Sequence, residues 1–175
     1  MPSVLFLIIQ LLFVIYLFYY IITFVSAAPF VPSSKEASRA MIRMAQIQKG
    51  KNVYDLGSGD GRLLFLAAEK GAHTVGYELN FILILVTLVK KFFSPYKQRI
   101  DIRWQSLWKA DIRDADIVFV YLLPMSLDKL QKKLTTECRP GTVIVSNSFI
   151  FKNWPIVRQD KTHHIFVFRV GKRVQ

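Results

Sequence analysis

Three hydrophobic patterns succeed one another along the chain. Residues 3–25, SVLFLIIQLLFVIYLFYYIITFV, are apolar almost without a break and carry no charge. At about 1.5 Å per helical residue the run reaches roughly 35 Å, enough to cross a hydrocarbon core of about 30 Å. It is expected to be one N-terminal transmembrane helix, with Tyr16, Tyr19 and Tyr20 near an interface. A cleaved signal peptide, with VSAAP as the cut, is the rival, but the run is long and no basic residue precedes it. A buried core helix would need a polar face, which is absent. After the proline-bearing exit PFVPSS (29–34) the pattern becomes helical. Ser33 and Glu36 have capping-box spacing, and Ala37, Ala40, Met41, Met44 and Ile47 share one face of a helix over 34–48 that Gly50 ends.

From residue 52 onward strands and helices alternate. Strands are expected at 52–56, 73–78, 99–104, 115–121 and 141–147, with helices over 60–70, 80–92 and 126–137. The tail reads as two strands around a polar turn at Gln159–Thr162. Such alternation predicts an α/β fold, a doubly wound and mostly parallel sheet. The boundaries become a transmembrane anchor at 1–28, a linker and lead-in helix at 29–50, and the α/β domain at 51–175. Within the helix over 80–92, FILILVTLV (81–89) is apolar on every side and too short to span lipid. It is either buried between the sheet and a neighbour or in contact with the anchor or the membrane face. Lys90 and Lys91 at its end suit the second reading.

Charge refines the picture. The chain carries 24 Lys and Arg against 12 Asp and Glu, a net +12 that falls entirely after residue 34. Lys35, Arg39, Arg43, Lys49 and Lys51 follow the apolar run with only Glu36 opposing them, so the positive-inside rule places the domain in the cytosol or a matrix. An anionic membrane face accounts for the basic surface, and no nucleic acid partner is expected. The single Cys138 forms no disulfide framework and reads as a helix-end residue without a role. His163 and His164 read as consecutive strand residues facing opposite sides, with no metal site.

The candidate chemistry lies in DLGSGDGR (55–62). A glycine turn between a strand and a helix binds nucleotide-type ligands at the strand's carboxyl end. A dinucleotide fingerprint needs glycine at the first, third and sixth positions, but the sixth here is Arg62. Glycines stand instead at 57, 59 and 61, with Asp55 two residues ahead. A carboxylate there repels a pyrophosphate and welcomes the ammonium and sulfonium of S-adenosylmethionine. Asp60 adds to the negative charge. Glu78, 19 residues past Gly59, closes the second strand where an acid can accept both ribose hydroxyls. Asp55, Gly57, Ser58, Gly59, Gly61 and Glu78 are the candidate cofactor-binding residues.

These motifs, with GYELN, SLWK and YLLP, and preceded by PFVPSS, resemble the membrane-anchored class I protein-lysine methyltransferases. That family includes the mitochondrial enzymes that methylate the ATP synthase c-subunit and the adenine nucleotide translocase, and short bacterial relatives. The resemblance covers about residues 29–170. It implies a Rossmann-like methyltransferase sheet of strand order 3-2-1-4-5-7-6, with S-adenosylmethionine over Asp55, Gly57, Gly59 and Glu78. In the family an acidic residue usually precedes LWK and contacts adenine. Ser106 stands there, a weaker acceptor.

Tyr121, Leu122, Leu123 and Pro124 at the end of the fourth strand should border the reacting carbon. Tyr121 and Pro124 are the candidate catalytic positions, with a core aromatic as the plain alternative for Tyr121. Three functions compete. The first is a membrane-tethered methyltransferase acting on a lysine of a membrane protein. The second is a methyltransferase for a lipid-soluble small molecule, and the third a non-catalytic S-adenosylmethionine-binding module.

Overall fold

The computed structural model describes residues 3–25, 34–122 and 124–171. Helix α1 (Val4–Val25) is the uncharged run, and its described side chains through Ile21 are exposed except Tyr19, which is half-buried. The linker at 29–33, with the expected Ser33 cap, lies outside the described residues. Helix α2 (Lys35–Ala45) is capped one residue later than expected, by Ser34, whose hydroxyl accepts from Ala37 N–H at 3.0 Å. It ends at Gln46 in the left-handed region, ahead of Gly50.

Strands β1 (Asn52–Leu56), β2 (His73–Glu78), β3 (Ile100–Trp104), β4 (Ile117–Val120), β5 (Val143–Asn147), β6 (Arg158–Asp160) and β7 (Ile165–Arg169) form one sheet in the order β3-β2-β1-β4-β5-β7-β6. All pairings are parallel except those of β7 with β5 and β6. The order is the one the family resemblance implies. Helices α3 (Arg62–Glu69), α4 (Phe81–Phe93) and α5 (Leu127–Glu137) complete the frame among the described residues. Most expected ends move inward by one to three residues. β4 begins at Ile117, although the Asp116 backbone already meets its neighbours, its N–H donating to Asn52 C=O and its C=O accepting from Val143 N–H, both at 2.9 Å, while its carboxylate accepts from Lys51 and Asn52 N–H.

Two apolar layers cover the sheet. α2 and α3 bury Ala40, Met41, Leu63 and Ala67 against Val53, Phe119 and Val145. On the opposite face α5 buries Leu130 and Leu134 among Ile144, Phe151 and Phe168, with Trp108 and Trp154 packed beside them. Two expectations need correction. His163 and His164 sit in the turn before β7, not on a strand. His164 has φ +55°, and His163 Nδ1 lies 2.9 Å from Asp160 Oδ2. And α4 is not buried between sheet and neighbour: Ile84 and Thr87 face inward, while most of its other apolar side chains are exposed. Its inward edge rests against β3 and β2, with the 3-10 turn Lys97–Arg99 beside it.

Candidate functional site

β1 and β4 lie side by side at the centre of the sheet, with Leu56 opposite Val120. The chain leaving β1 at Gly57 therefore runs beside the chain leaving β4 at Tyr121. This is where a parallel sheet opens a crevice at its carboxyl edge. Gly57, Gly59 and Gly61 all have positive φ. Gly61, at +77°, caps α3, and a Cβ there would lie 2.6 Å from Thr87 Cγ2. An L side chain at 61 is thus excluded twice, by backbone and by space. The turn is fixed from below, because Gly57 and Ser58 N–H both donate to Tyr77 C=O, at 2.9 and 3.0 Å.

Glu78 organises the crevice. Its Oε2 accepts from Gly59 N–H at 2.9 Å, and its Oε1 accepts from Leu79 and Asn80 N–H at 2.9 and 2.7 Å. One buried carboxylate thereby joins the glycine turn of β1 to the chain leaving β2. Gly59 N–H is thereby held within the protein by Glu78. Asp55 is 5% exposed and accepts no hydrogen bond among the described residues. Desolvation, with the Glu78 and Asp60 charges adding to it, pushes its carboxyl up to about 8. The Asp60 charge that acts on Asp55 is itself paired. Arg62 Nε at 2.9 Å and Lys90 Nζ at 2.8 Å pair with it. Desolvation opposes its charge, but those partners outweigh it and hold the carboxyl at about 2.

The remaining candidates are distributed around this centre. Ser58 is buried, and its hydroxyl has no hydrogen-bond partner among the described residues. It packs over Gly76 of β2, where an added Cβ would come within 2.7 Å of it. Ser106 reaches the crevice edge because Gln105 N–H donates to Glu78 C=O at 3.1 Å. Its hydroxyl accepts from Trp108 N–H at 3.4 Å and starts the short 3-10 turn Leu107–Lys109. Tyr121 is half-buried and stacks on Phe149 with centroids 6.3 Å apart, and its hydroxyl has no partner among the described residues. Pro124 is exposed and opens the short turn Pro124–Ser126, whose last residue is buried. Leu123 lies outside the described residues.

Two positions at the rim carry no signal in the sequence. Trp104 Nε1–H donates to Leu79 C=O at 3.0 Å. The Tyr19 hydroxyl donates to the same carbonyl and accepts from Phe81 N–H at 2.7 Å. Tyr19 and Leu79 are 60 residues apart in sequence, so no local pattern announces the contact. It brings the C-terminal half of α1 to the rim of the crevice.

A family model described as the ANTKMT methyltransferase domain matches residues 55–158. A protein-lysine N-methyltransferase of Saccharolobus islandicus is 28% identical over 158 residues, covering 86% of this chain and 98% of the relative. The Mus musculus lysine N-methyltransferase of the ATP synthase c-subunit is 31% identical over 126 residues, covering 72% of this chain. The chain spans about half of that mouse protein, 51%. Among solved structures, an RNA methyltransferase from Salinibacter ruber in complex with S-adenosyl-L-homocysteine is similar at TM-score 0.77 and 30% identity, covering 83% of this chain and 97% of that one.

Proposed function

The chain belongs to the ANTKMT methyltransferase family, and from that membership we propose that it is an S-adenosylmethionine-dependent protein-lysine N-methyltransferase, tethered by α1 and acting on a lysine of a membrane protein. The observation that carries the choice of donor is Asp55, which is buried beside Glu78 and accepts no hydrogen bond among the described residues. A cation placed there restores the ionised carboxylate, whereas a pyrophosphate would raise the cost of its charge. When bound, S-adenosylmethionine supplies a methyl group on a positively charged sulfur. Asp55 and Glu78, the backbone of the glycine turn and the Ser106 hydroxyl would hold it.

The rest falls to the chain's own groups. A lysine amine must arrive neutral, which at pH 7 costs roughly 4.6 kcal/mol from its reference pKa of about 10.4. Burial at the crevice lowers that cost by disfavouring the ammonium. The Tyr121 hydroxyl accepts an N–H of the neutral amine and turns its lone pair toward the site. Pro124, without a titratable group, shapes the rim. Tethering confines the search to a surface and raises the effective concentration of a membrane-borne lysine.

A second reading, methyl transfer to RNA, is favoured by the net +12 and by the description of the Salinibacter ruber neighbour. Several of the basic side chains are already paired with acids, among them Arg62, Lys90, Arg103 and Arg113. The test is to incubate the full chain with methyl-labelled donor and total membranes plus RNA. Label recovered as methyl-lysine after acid hydrolysis of the protein fraction is the expected result. Label confined to RNA, or to the solvent-extracted lipid fraction, would overturn it.

A further inference from the structure

We propose that α4 is a second membrane element, lying in the headgroup region of an anionic bilayer with its exposed face in lipid. The inference rests on the reading of α1 as a membrane anchor. α4 is inverted relative to an ordinary surface helix. Its inward edge holds Ile84 and Thr87, with Thr87 Oγ1 donating to Gly59 C=O at 3.3 Å. Its outward edge is Ile82, Val86, Val89 and Phe93, spaced as one stripe of a 3.6-residue helix. Val89 is 61% and Phe93 78% exposed. Leu85 and Phe92 widen the stripe. At about 1.5 Å per residue its 13 residues reach roughly 20 Å, too short to span and well suited to lying flat. Water is a poor neighbour for so large a contiguous apolar surface.

Three observations assign the bilayer as the occupant. First, α4 starts where α1 touches the domain. The Tyr19 hydroxyl holds Phe81 N–H and Leu79 C=O, so an anchor in lipid brings the first turn of α4 to the interface. Second, Trp104, 62% exposed and tilted at 51° against Phe81 with centroids 5.3 Å apart, adds an indole beside that contact, a side chain enriched at membrane interfaces. Third, the border of the stripe is basic. Lys91 stands in the last turn of the helix, and Lys97 lies over the Phe92 ring at 6.0 Å. Lys90, beside Lys91, is paired with Asp60, which shares a cavity of about 320 Å³ with Lys35 and Arg39. Apolar side chains fringed by ammonium groups match acyl chains beneath anionic headgroups. Because α4 begins directly after Glu78, this docking would set the crevice at a fixed height above the bilayer, next to membrane-borne lysines.

The test uses the full chain in vesicles of phosphatidylcholine and phosphatidylglycerol, some lipids brominated in the acyl chain. An environment-sensitive dye is placed separately at Val89→Cys, at Phe13→Cys in α1 and at Lys132→Cys on exposed α5. Cys138 is fully buried, with its thiol pushed up to about 12 by desolvation, and does not compete for the dye. The expected result is at least a twofold quench by brominated lipid at 89 and 13 and none at 132. It should weaken at 89 in pure phosphatidylcholine and be lost in Val86→Glu with S-adenosylmethionine binding retained. Quenching at 13 without quenching at 89 overturns the docking and leaves the anchor standing. Quenching at neither overturns both. Energy transfer between labelled molecules at 89 that rises with protein density, without lipid quenching, assigns the face to a second copy and overturns the proposal. Protection at 89 that appears only with an added substrate protein does the same.

Discussion

Burial of Asp55 makes the empty protein sensitive to pH in a defined direction. Its carboxyl titrates near 8 when folded and near its ordinary value of 3.8 when unfolded. Between those values the native state binds more protons than the unfolded state, so stability falls as pH rises. The melting temperature of the ligand-free protein should therefore decline from about pH 4 to about pH 8, and Asp55→Asn should flatten that part of the profile. A decline of equal slope in Asp55→Asn would place the titration elsewhere. Tyr121 gives a second prediction. Because its hydroxyl has no internal partner among the described residues, Tyr121→Phe should leave donor affinity and stability nearly unchanged. It should lower kcat by about tenfold or more, the effect expected when a positioned polar group is lost from the reacting centre. A Tyr121→Phe enzyme with normal kcat would return Tyr121 to packing on Phe149. At this scale the placement of Asp55 and Glu78 at adjoining strand ends was legible from their spacing to the glycine turn. The three backbone bonds of Glu78 and the pairing of Asp60 were not, since each depends on chain directions that only the assembled turn defines.

The elements were legible where a periodic pattern had a cap or a glycine beside it. Asn80 caps α4, its Oδ1 accepting from Ile82 and Leu83 N–H at 3.0 and 3.4 Å. At α2 two serines compete, and Ser34 wins because its hydroxyl meets Ala37 N–H while its carbonyl accepts from Ser38 N–H at 2.9 Å. Ser34→Ala should destabilise the domain by about 1 kcal/mol, read as a shift in denaturant midpoint at unchanged slope. No shift would mean that packing of Ala40 and Met41 alone holds the helix. Hydrophobicity alone could not tell whether α4 was buried or exposed, because an apolar residue looks the same in a core and on a lipid-facing surface. The histidines were misplaced for a related reason. The run from Lys161 to Ile165 has no glycine or proline to mark a turn, yet Asp160 makes one by accepting from His163 N–H at 3.1 Å.

Across the whole molecule, the sheet order, the central crevice and the contact of α1 with its rim converge on one arrangement. The acidic pocket is buried in a chain whose net charge is +12. In the function proposed above the two signs serve different partners: the basic exterior would face an anionic surface, and the buried carboxylates would select a small cation from a solution in which phosphate-bearing cofactors are also present. The overall order of strands could be inferred from the ordered motifs and their resemblance to a family, but the route of α1 to Leu79 belongs to tertiary structure alone. Selection of the donor rests on the charge at Asp55, and calorimetric titration of the full chain with S-adenosylmethionine tests it most directly. Affinity should rise between about pH 6 and about pH 8 as Asp55 ionises, and Asp55→Asn should weaken it by about tenfold to a hundredfold and abolish the pH trend. Equal affinity in Asp55→Asn, or tighter binding of NAD than of S-adenosylmethionine by the unaltered chain, would contradict it.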